Sequence, residues 1–353
     1  MKNKIYSSTL KDVAKQAGVS PSTASRVLSN ADYPVSEALR ARVVRASKEL
    51  NYIPNVFGKM LKSNVSDAIG IIIPSLQNPF YNQVIFGIES AAAQSGHEIR
   101  LFSSHRNVAQ ERKHILTLLH NHIMALIIIS IDSSPETLKH YISYGGRVAM
   151  LEGDFTLEHS ITAETDCFAA GCIAADHLVQ LGHKRIAFLT SPLTKSFRRR
   201  ILEGVQDTLL RAGCPLAEES IFLSNAESES TTGMYEFENG RILAQRLLEQ
   251  QRDYTAIITI NDITAFGVIQ VLTQHGLSIP QDISVISFDN ITYSEMTSPP
   301  LTTVDLPSSN MGFAACQMLI SEIASGKCDL QNMAFKFPCN LMVRQSTQPP
   351  KRA

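Results

Sequence analysis

The 353-residue chain has no apolar run long enough to cross a bilayer. Its continuous apolar stretches, such as 125–129, have the length of a buried strand. The first residues, MKNKIYSSTLKD, carry no apolar core of the kind a secretory signal needs. No membrane partner is expected, and the cytoplasm is the expected compartment. Six cysteines (167, 172, 214, 316, 328 and 339) are scattered, with no C-x-x-C and no histidine at zinc spacing. They read as reduced thiols of a cytosolic protein rather than a disulfide framework. Motifs of catalysis are missing too: no G-x-S-x-G, no P-loop, no H-E-x-x-H and no G-x-G-x-x-G after a strand. The chain therefore reads as a non-enzyme without a cofactor. His105, His114, His120 and His122 crowd around one helical stretch. Without a nearby Cys or acidic ligand set they read as wet surface, not as a metal site.

What is present is ordinary in bulk and uneven in distribution. Hydrophobic content of 44% and charged content of 18% suit a soluble globular protein, and the length suits two or three domains. Residues 1–62 hold eleven Lys/Arg against four Asp/Glu, a net of +7. The whole chain is −1, so residues 63–353 carry −8. A small basic head on an acidic body is the electrostatic footprint of nucleic-acid binding.

Within that head, TLKDVAKQAGVSPSTASR (9–26) has the pattern of two short helices. Leu10, Val13, Ala14 and Ala17 fall at i, i+3, i+4 and i+7, one apolar stripe. Thr9 with Asp12 three places on approximates a capping box, and Gly18 offers a left-handed stop. Ser20 can cap a second helix with Pro21 at its first position. Ala24, Val27 and Leu28 continue the apolar side, leaving Ser22, Thr23, Ser25 and Arg26 outward. This is a helix-turn-helix pattern. A third helix starts at Ser36, with Leu39, Val43, Ala46 and Leu50 inward. Asn51–Asn55 then breaks it, because the residue before Pro54 is pushed from the α region.

From Ala68 on, continuous apolar strands alternate with amphipathic helices. AIGIII (68–73), EIRLFS (98–103), ALIIIS (125–130) and RVAML (147–151) form one set. RIAFLT (185–190), IFL (221–223), AIITI (256–260) and ISVISF (283–288) form another. Two such βαβ series predict two doubly wound α/β lobes with parallel sheets covered on both faces. Ligands of such folds bind at the carboxyl ends of the strands.

The segments TLKDVAKQAGVSPSTASRVLSN and VSEALRARVVRASKELNYIPN resemble the head of the lactose-repressor (LacI/GalR) family. The resemblance continues through LGHKRIAFL (181–189), NDITAFG (261–267), ISVISFDN (283–290), PPLTTV (299–304) and VRQST (343–347). It implies a helix-turn-helix head (1–54), a hinge helix and linker (55–66) and a core like periplasmic sugar-binding proteins. The core would comprise one lobe of 67–164 plus 295–328 and another of 165–294 plus 332–347, with a flexible tail at 348–353. Crossovers are expected near Glu164–Asp166, Tyr293–Thr297 and Lys327–Ala334. On the DNA side the resemblance implies contacts from Thr9, Ser20, Pro21, Ser22, Thr23, Ser25, Arg26 and Ser29. Asn55, Lys59 and Leu61 would act from the hinge, Leu61 as an apolar wedge in the minor groove.

At the strand ends, Phe80 and Tyr81 offer flat rings for a sugar or purine; the alternative for Phe80 is packing at the helix start, and the resemblance favours a ligand contact for Phe80 while leaving Tyr81 even. Asn261 and Asp289 offer short polar groups for hydroxyls, the bland alternative for Asp289 being a helix cap. Glu152 and Asp154 are weaker candidates. Among Arg198, Arg199 and Arg200 the expected ligand fork is Arg200, then Arg199. The reading that follows is a dimeric transcriptional repressor, binding a pseudo-palindromic operator and controlled by a sugar or sugar derivative in its cleft. Alternatives are control by a phosphoprotein corepressor, or a sugar-binding module without DNA activity. The closing VRQSTQPPKRA has no apolar heptad, so a homodimer is expected rather than a tetramer.

Overall fold

The computed structural model describes residues 8–28, 34–50, 52, 66–155, 157–224, 235–325 and 333–351. Ser29, Asn55, Lys59 and Leu61 lie outside the described residues. The chain divides into two units, Met1–Val65 and Ser66–Ala353.

The first unit contains α1 (Leu10–Ala17), α2 (Pro21–Leu28) and α3 (Glu37–Glu49). Thr9 and Asp12 form a reciprocal capping box, with the Thr9 N–H donating to Asp12 Oδ2 at 2.8 Å. The hydrogen bonds from Thr9 hold the Asp12 carboxyl below its usual range. Gly18 ends α1 at φ 62°, the left-handed conformation that costs glycine nothing. Val13, Ala14, Ala17, Ala24, Val27, Val43 and Ala46 form the buried centre. These side chains are small, so three short helices pack closely around very few apolar atoms.

The second unit is built on two six-stranded sheets. Its elements begin with β1 (Ser66–Ile73), α4 (Pro79–Gln94), β2 (Ile99–Ser103), α5 (Val108–His120), β3 (Ile123–Ile128), α6 (Glu136–Ser143), β4 (Arg147–Leu151) and β5 (Ser160–Thr165). Next come α7 (Cys167–Gln180), β6 (Ile186–Thr190), α8 (Ser196–Arg211), β7 (Ile221–Leu223), α9 (Tyr235–Glu249), β8 (Ala256–Thr259), α10 (Asp262–Gln274) and β9 (Ser284–Asp289). The last are β10 (Thr302–Asp305), α11 (Ser308–Ser325), β11 (Met333–Phe337) and β12 (Asn340–Met342). The first sheet has the order β11-β5-β4-β3-β1-β2 and the second β12-β10-β9-β8-β6-β7. Every pairing is parallel except that of β10 with β12. Strands such as β4 and β6 are buried on both faces, which is why they read as unbroken apolar runs.

Sheet membership corrects where the chain changes lobe. β10 pairs with β9, so residues 302–305 remain in the second lobe. The second passage therefore lies between Asp305 and Ser308, not at 293–297. β11 pairs with β5 in the first sheet while β12 joins β10 in the second. The third passage is thus at 338–339, not at 327–334. The end of the chain is also docked where a flexible tail was expected: His183 Nε2 bonds the Gln348 carbonyl at 2.9 Å, and Lys351 Nζ bonds Asp282 at 2.6 Å. Backbone pairing across long sequence separations decides the two passages, side-chain bonds to distant residues hold the chain end, and no local pattern encodes either.

Candidate functional site

In the head, the outer side of α2 is polar. Ser20, Pro21, Ser22 and Arg26 are exposed, while Thr23 and Ser25 are partly so. Ser20 Oγ accepts the Thr23 N–H at 3.1 Å and also contacts the Ser22 and Thr23 hydroxyls at 2.8 Å each. Ser20 is thus the cap of α2, with its hydroxyl group committed to that end. Thr9 is likewise exposed and committed to its capping box. Ser22, Thr23, Ser25 and Arg26 are left as one short outward row with a single long donor.

In the core, the carboxyl ends of the strands of both lobes meet at a cleft. Asn78 caps α4, its Oδ1 accepting the Phe80 N–H at 3.0 Å. Its Nδ2 donates across the cleft to Glu236 of the second lobe at 3.2 Å. Arg106, just beyond β2, also pairs with Glu236, and its guanidinium lies 5.2 Å from the centre of the Tyr235 ring. Both side chains of that ion pair are nearly buried. Phe80 packs against the cores of both lobes and meets Tyr81 edge to face, ring centres 5.5 Å apart. Burial pushes the Tyr81 hydroxyl up; Arg106 and Arg198 oppose that shift, while Glu236 and Asp289 add to it. Two cations and two acids therefore act electrostatically on one phenol.

Asp289 ends β9 at φ 110° and is 7% exposed. Burial raises its pKa well above the usual carboxylate value, and Asp262 and Glu236 add like-charge repulsion. No described residue donates a hydrogen bond to its carboxylate. It is not the cap of a helix. Asp262, by contrast, is saturated: it accepts from Ser294 Oγ at 2.6 Å, Thr303 Oγ1 at 2.7 Å, the Ile291 N–H at 2.9 Å and Ser287 Oγ. Asp262 therefore ties together the loop after β9. Asn261 is the cap of α10, its Oδ1 accepting the Thr264 N–H at 2.9 Å, so only its amide nitrogen is left for other work.

The arginine run resolves differently from expectation. Arg198 is the buried member, 7% exposed, with Nη1 donating to the Pro192 carbonyl at 2.8 Å. Arg199 and Arg200 are exposed, and Arg199 spends Nη1 on the carbonyls of Leu193 and Thr194. The periodicity of α8 turns position 198 inward with Ile201, Leu202 and Val205, and carries 199 and 200 to the solvent side. Glu152 also departs from its expected role. It accepts from the Thr165 N–H at 2.8 Å and from the Thr165 hydroxyl, and so clamps the end of β4 to that of β5. Burial pushes its carboxyl up to about 7 against those bonds. Asp154 instead reaches the second lobe, accepting the Ser196 N–H at 2.7 Å and pairing with Lys195 at 2.8 Å.

Arg106, Tyr235 and Glu236 were not singled out from sequence. Arg106 obeys the strand-end rule, following β2 by three residues, and that signal was available. Tyr235 and Glu236 begin α9, twelve residues past the end of β7, and carry no such signal. Separately, a cavity of about 640 Å³ flanks the passage between β10 and α11, lined by Gln83, Phe86, Asn290, Tyr293, Asp305 and Asn310 among others. None of Arg106, Arg198, Glu236 or Asp289 lines it. Among the described residues, no helix is long and apolar enough to cross a membrane.

Residues 9–55 match the family of bacterial regulatory proteins of the lacI type, and residues 175–347 match a periplasmic binding protein-like domain. The ribose operon repressor of Escherichia coli (strain K12) is 33% identical over 331 residues, spanning 92% of this chain and 96% of that protein. Among solved structures, a lac repressor dimer bound to operator and the anti-inducer ONPF is 28% identical with a TM-score of 0.83, covering 97% of this chain and 100% of that one. A lacI-family regulator from Enterococcus faecium with bound ribose is 25% identical with a TM-score of 0.71, covering 80% of this chain and all of that one. A matching head and a full-length relative at this identity place the chain in the lacI family of bacterial regulatory proteins.

Proposed function

We propose that this protein is a cytoplasmic, non-enzymatic repressor that binds operator DNA as a dimer and is switched by a pentose of the ribose class. The observation that carries the ligand reading is Asp289. A buried carboxylate with no donor among the described residues is costly unless a ligand supplies hydroxyls to it. A polyol with an apolar ring face suits the rest of the cluster: Phe80, Tyr81 and Tyr235 offer aromatic faces, while Arg198 and the Asn261 amide offer donors. The ribose operon repressor and the ribose-bound regulator support the same class by similarity.

On the DNA side α2 enters the major groove, with Arg26 as the base-reading side chain and Ser22, Thr23 and Ser25 beside it. Ser29 and the hinge residues Asn55, Lys59 and Leu61 complete the contact, Leu61 wedging into the minor groove. Ligand shifts the balance between lobe arrangements, and its differential affinity for them sets the size of the response. The test is an operator titration with and without ribose, alongside a thermal-shift panel of ribose, sugar phosphates, nucleosides and purines. Stabilisation by ribose together with a changed operator affinity is the expected result. Stabilisation by a purine alone would transfer the cleft to another ligand class.

A further inference from the structure

We propose that Asp154 and Lys195 are positioning residues that set the closure of the two lobes and thereby the seating of Arg198 in the cleft. Helix α8 begins at Ser196 without a cap of its own, since Lys195 at the cap position makes no side-chain capping bond. The first free N–H groups of a helix and its positive end need an acceptor. Here the acceptor comes from the other lobe: Ser196 N–H donates to Asp154 Oδ1 at 2.7 Å. Lys195 Nζ lies 2.8 Å from Asp154 Oδ2 and also donates to the Ile131 carbonyl of the first lobe at 2.9 Å. Asp154 and Lys195 are 13% and 12% exposed, so the clasp is largely withdrawn from solvent. Its first-lobe side is itself fixed, because the buried Glu111 carboxylate holds the Ile131 N–H at 2.9 Å and the Ser130 hydroxyl at 2.5 Å.

These three bonds exist only while the lobes touch. Separation leaves α8 uncapped and two charges to be rehydrated, so the clasp weights the balance toward closure. Arg198 stands two residues beyond Ser196 on the same helix turn and is buried. Pinning the start of α8 therefore fixes where the guanidinium meets a ligand. A contact made only in the closed state adds to ligand affinity without touching the ligand. The clasp is separate from the Arg106–Glu236 pair, which shares no residue with it.

The inference rests on the ribose reading for its affinity arm alone. The full-length protein is compared with Asp154→Ala, Asp154→Asn and Lys195→Met by small-angle scattering without ligand, then by ribose calorimetry. The radius of gyration of ligand-free Asp154→Ala is expected to rise and to return toward wild type at saturating ribose. Its ribose Kd is expected to rise about tenfold, the size of one lost charge-assisted bond. Asp154→Asn retains an acceptor for Ser196 and falls between. Lys195→Met leaves the helix cap in place, so it decides the matter if Asp154→Ala fails to fold. Scattering identical to wild type with ribose Kd within about twofold would overturn the proposal. If wild type itself ignores ribose, the ligand class fails, and the ligand-free scattering alone decides the clasp.

Discussion

Asp289 stands in the cleft as an acid whose ionisation burial opposes and which no donor among the described residues relieves. Its folded pKa is raised, so the cost of ionising it grows as pH rises from the ordinary value of 3.8 through the folded value. A ligand that donates hydroxyls favours the ionised form, so binding should release a proton and strengthen as pH rises through that window. Calorimetry in buffers of different ionisation heat measures that release, and no release would mean that Asp289 does not meet the hydroxyls. Asp289→Ala should leave a dimer that binds operator with a near-normal salt slope while needing at least about tenfold more effector. An unchanged response would place the ligand elsewhere. Arg198→Ala should weaken the effector by a similar factor and Arg200→Ala should not; the opposite result would return the role to the exposed arginine. In the head, Arg26→Ala should relax discrimination at one operator position per half-site, worth roughly 1–3 kcal/mol. An equal loss on all sequences would make Arg26 a phosphate contact instead.

Among the elements, paired helices on the sheets cross at glycines. A Cβ built at Gly171 of α7 would lie 2.1 Å from the Ile201 carbonyl oxygen of α8, and one at Gly204 would lie 2.1 Å from that of Phe168. Both neighbours are backbone, so neither can swing aside. Gly171→Ala should force the helices apart and cost about 1–3 kcal/mol or more, read as a lower denaturation midpoint. Because α8 carries Arg198, the same variant should also weaken the effector. The docked end of the chain carries a different dependence. His183 Nε2 donates to the Gln348 carbonyl and His177 shares a hydrogen bond with Thr347 Oγ1, each at 2.9 Å. Burial lowers both histidines below 6.5, so the unfolded chain takes up protons before the native one does. Their contribution is complete above that pH and is lost as pH falls through it. Denaturant midpoints from pH 7 to 5 should drop for wild type, and less steeply for His177→Asn with His183→Asn. Parallel curves would show that the histidines do not control the tail.

At the scale of the molecule, a head of net +7 on a body of −8 sends the basic unit toward phosphate and keeps the body away from it. Operator affinity should therefore fall linearly with salt on logarithmic axes, with a slope of about −0.9 per phosphate contacted. Light scattering without DNA should give a dimer. A stable tetramer would contradict the dimeric reading proposed above.

Neighbouring residues dictate the local features of this chain. Thr9, Asp12 and Gly18 dictate the start and stop of α1, and the apolar stripe dictates its buried side. Unbroken apolar runs announce parallel strands covered on both faces, and residues just past those runs, Phe80, Tyr81 and Asp289, come together in the cleft. Which of three consecutive arginines turns inward is fixed by long-range packing. The answer depends on where α8 starts, and its cap is supplied by Asp154 from 42 residues away. Only the tertiary structure brought Arg106 to Glu236, 130 positions apart, or Phe335 beside Ala163 in the first sheet. Helix caps and apolar periods are short-range and are written in neighbouring side chains. Strand partners and cross-lobe ion pairs form between segments that no sequence interval connects, and they exist only once the sheets have assembled.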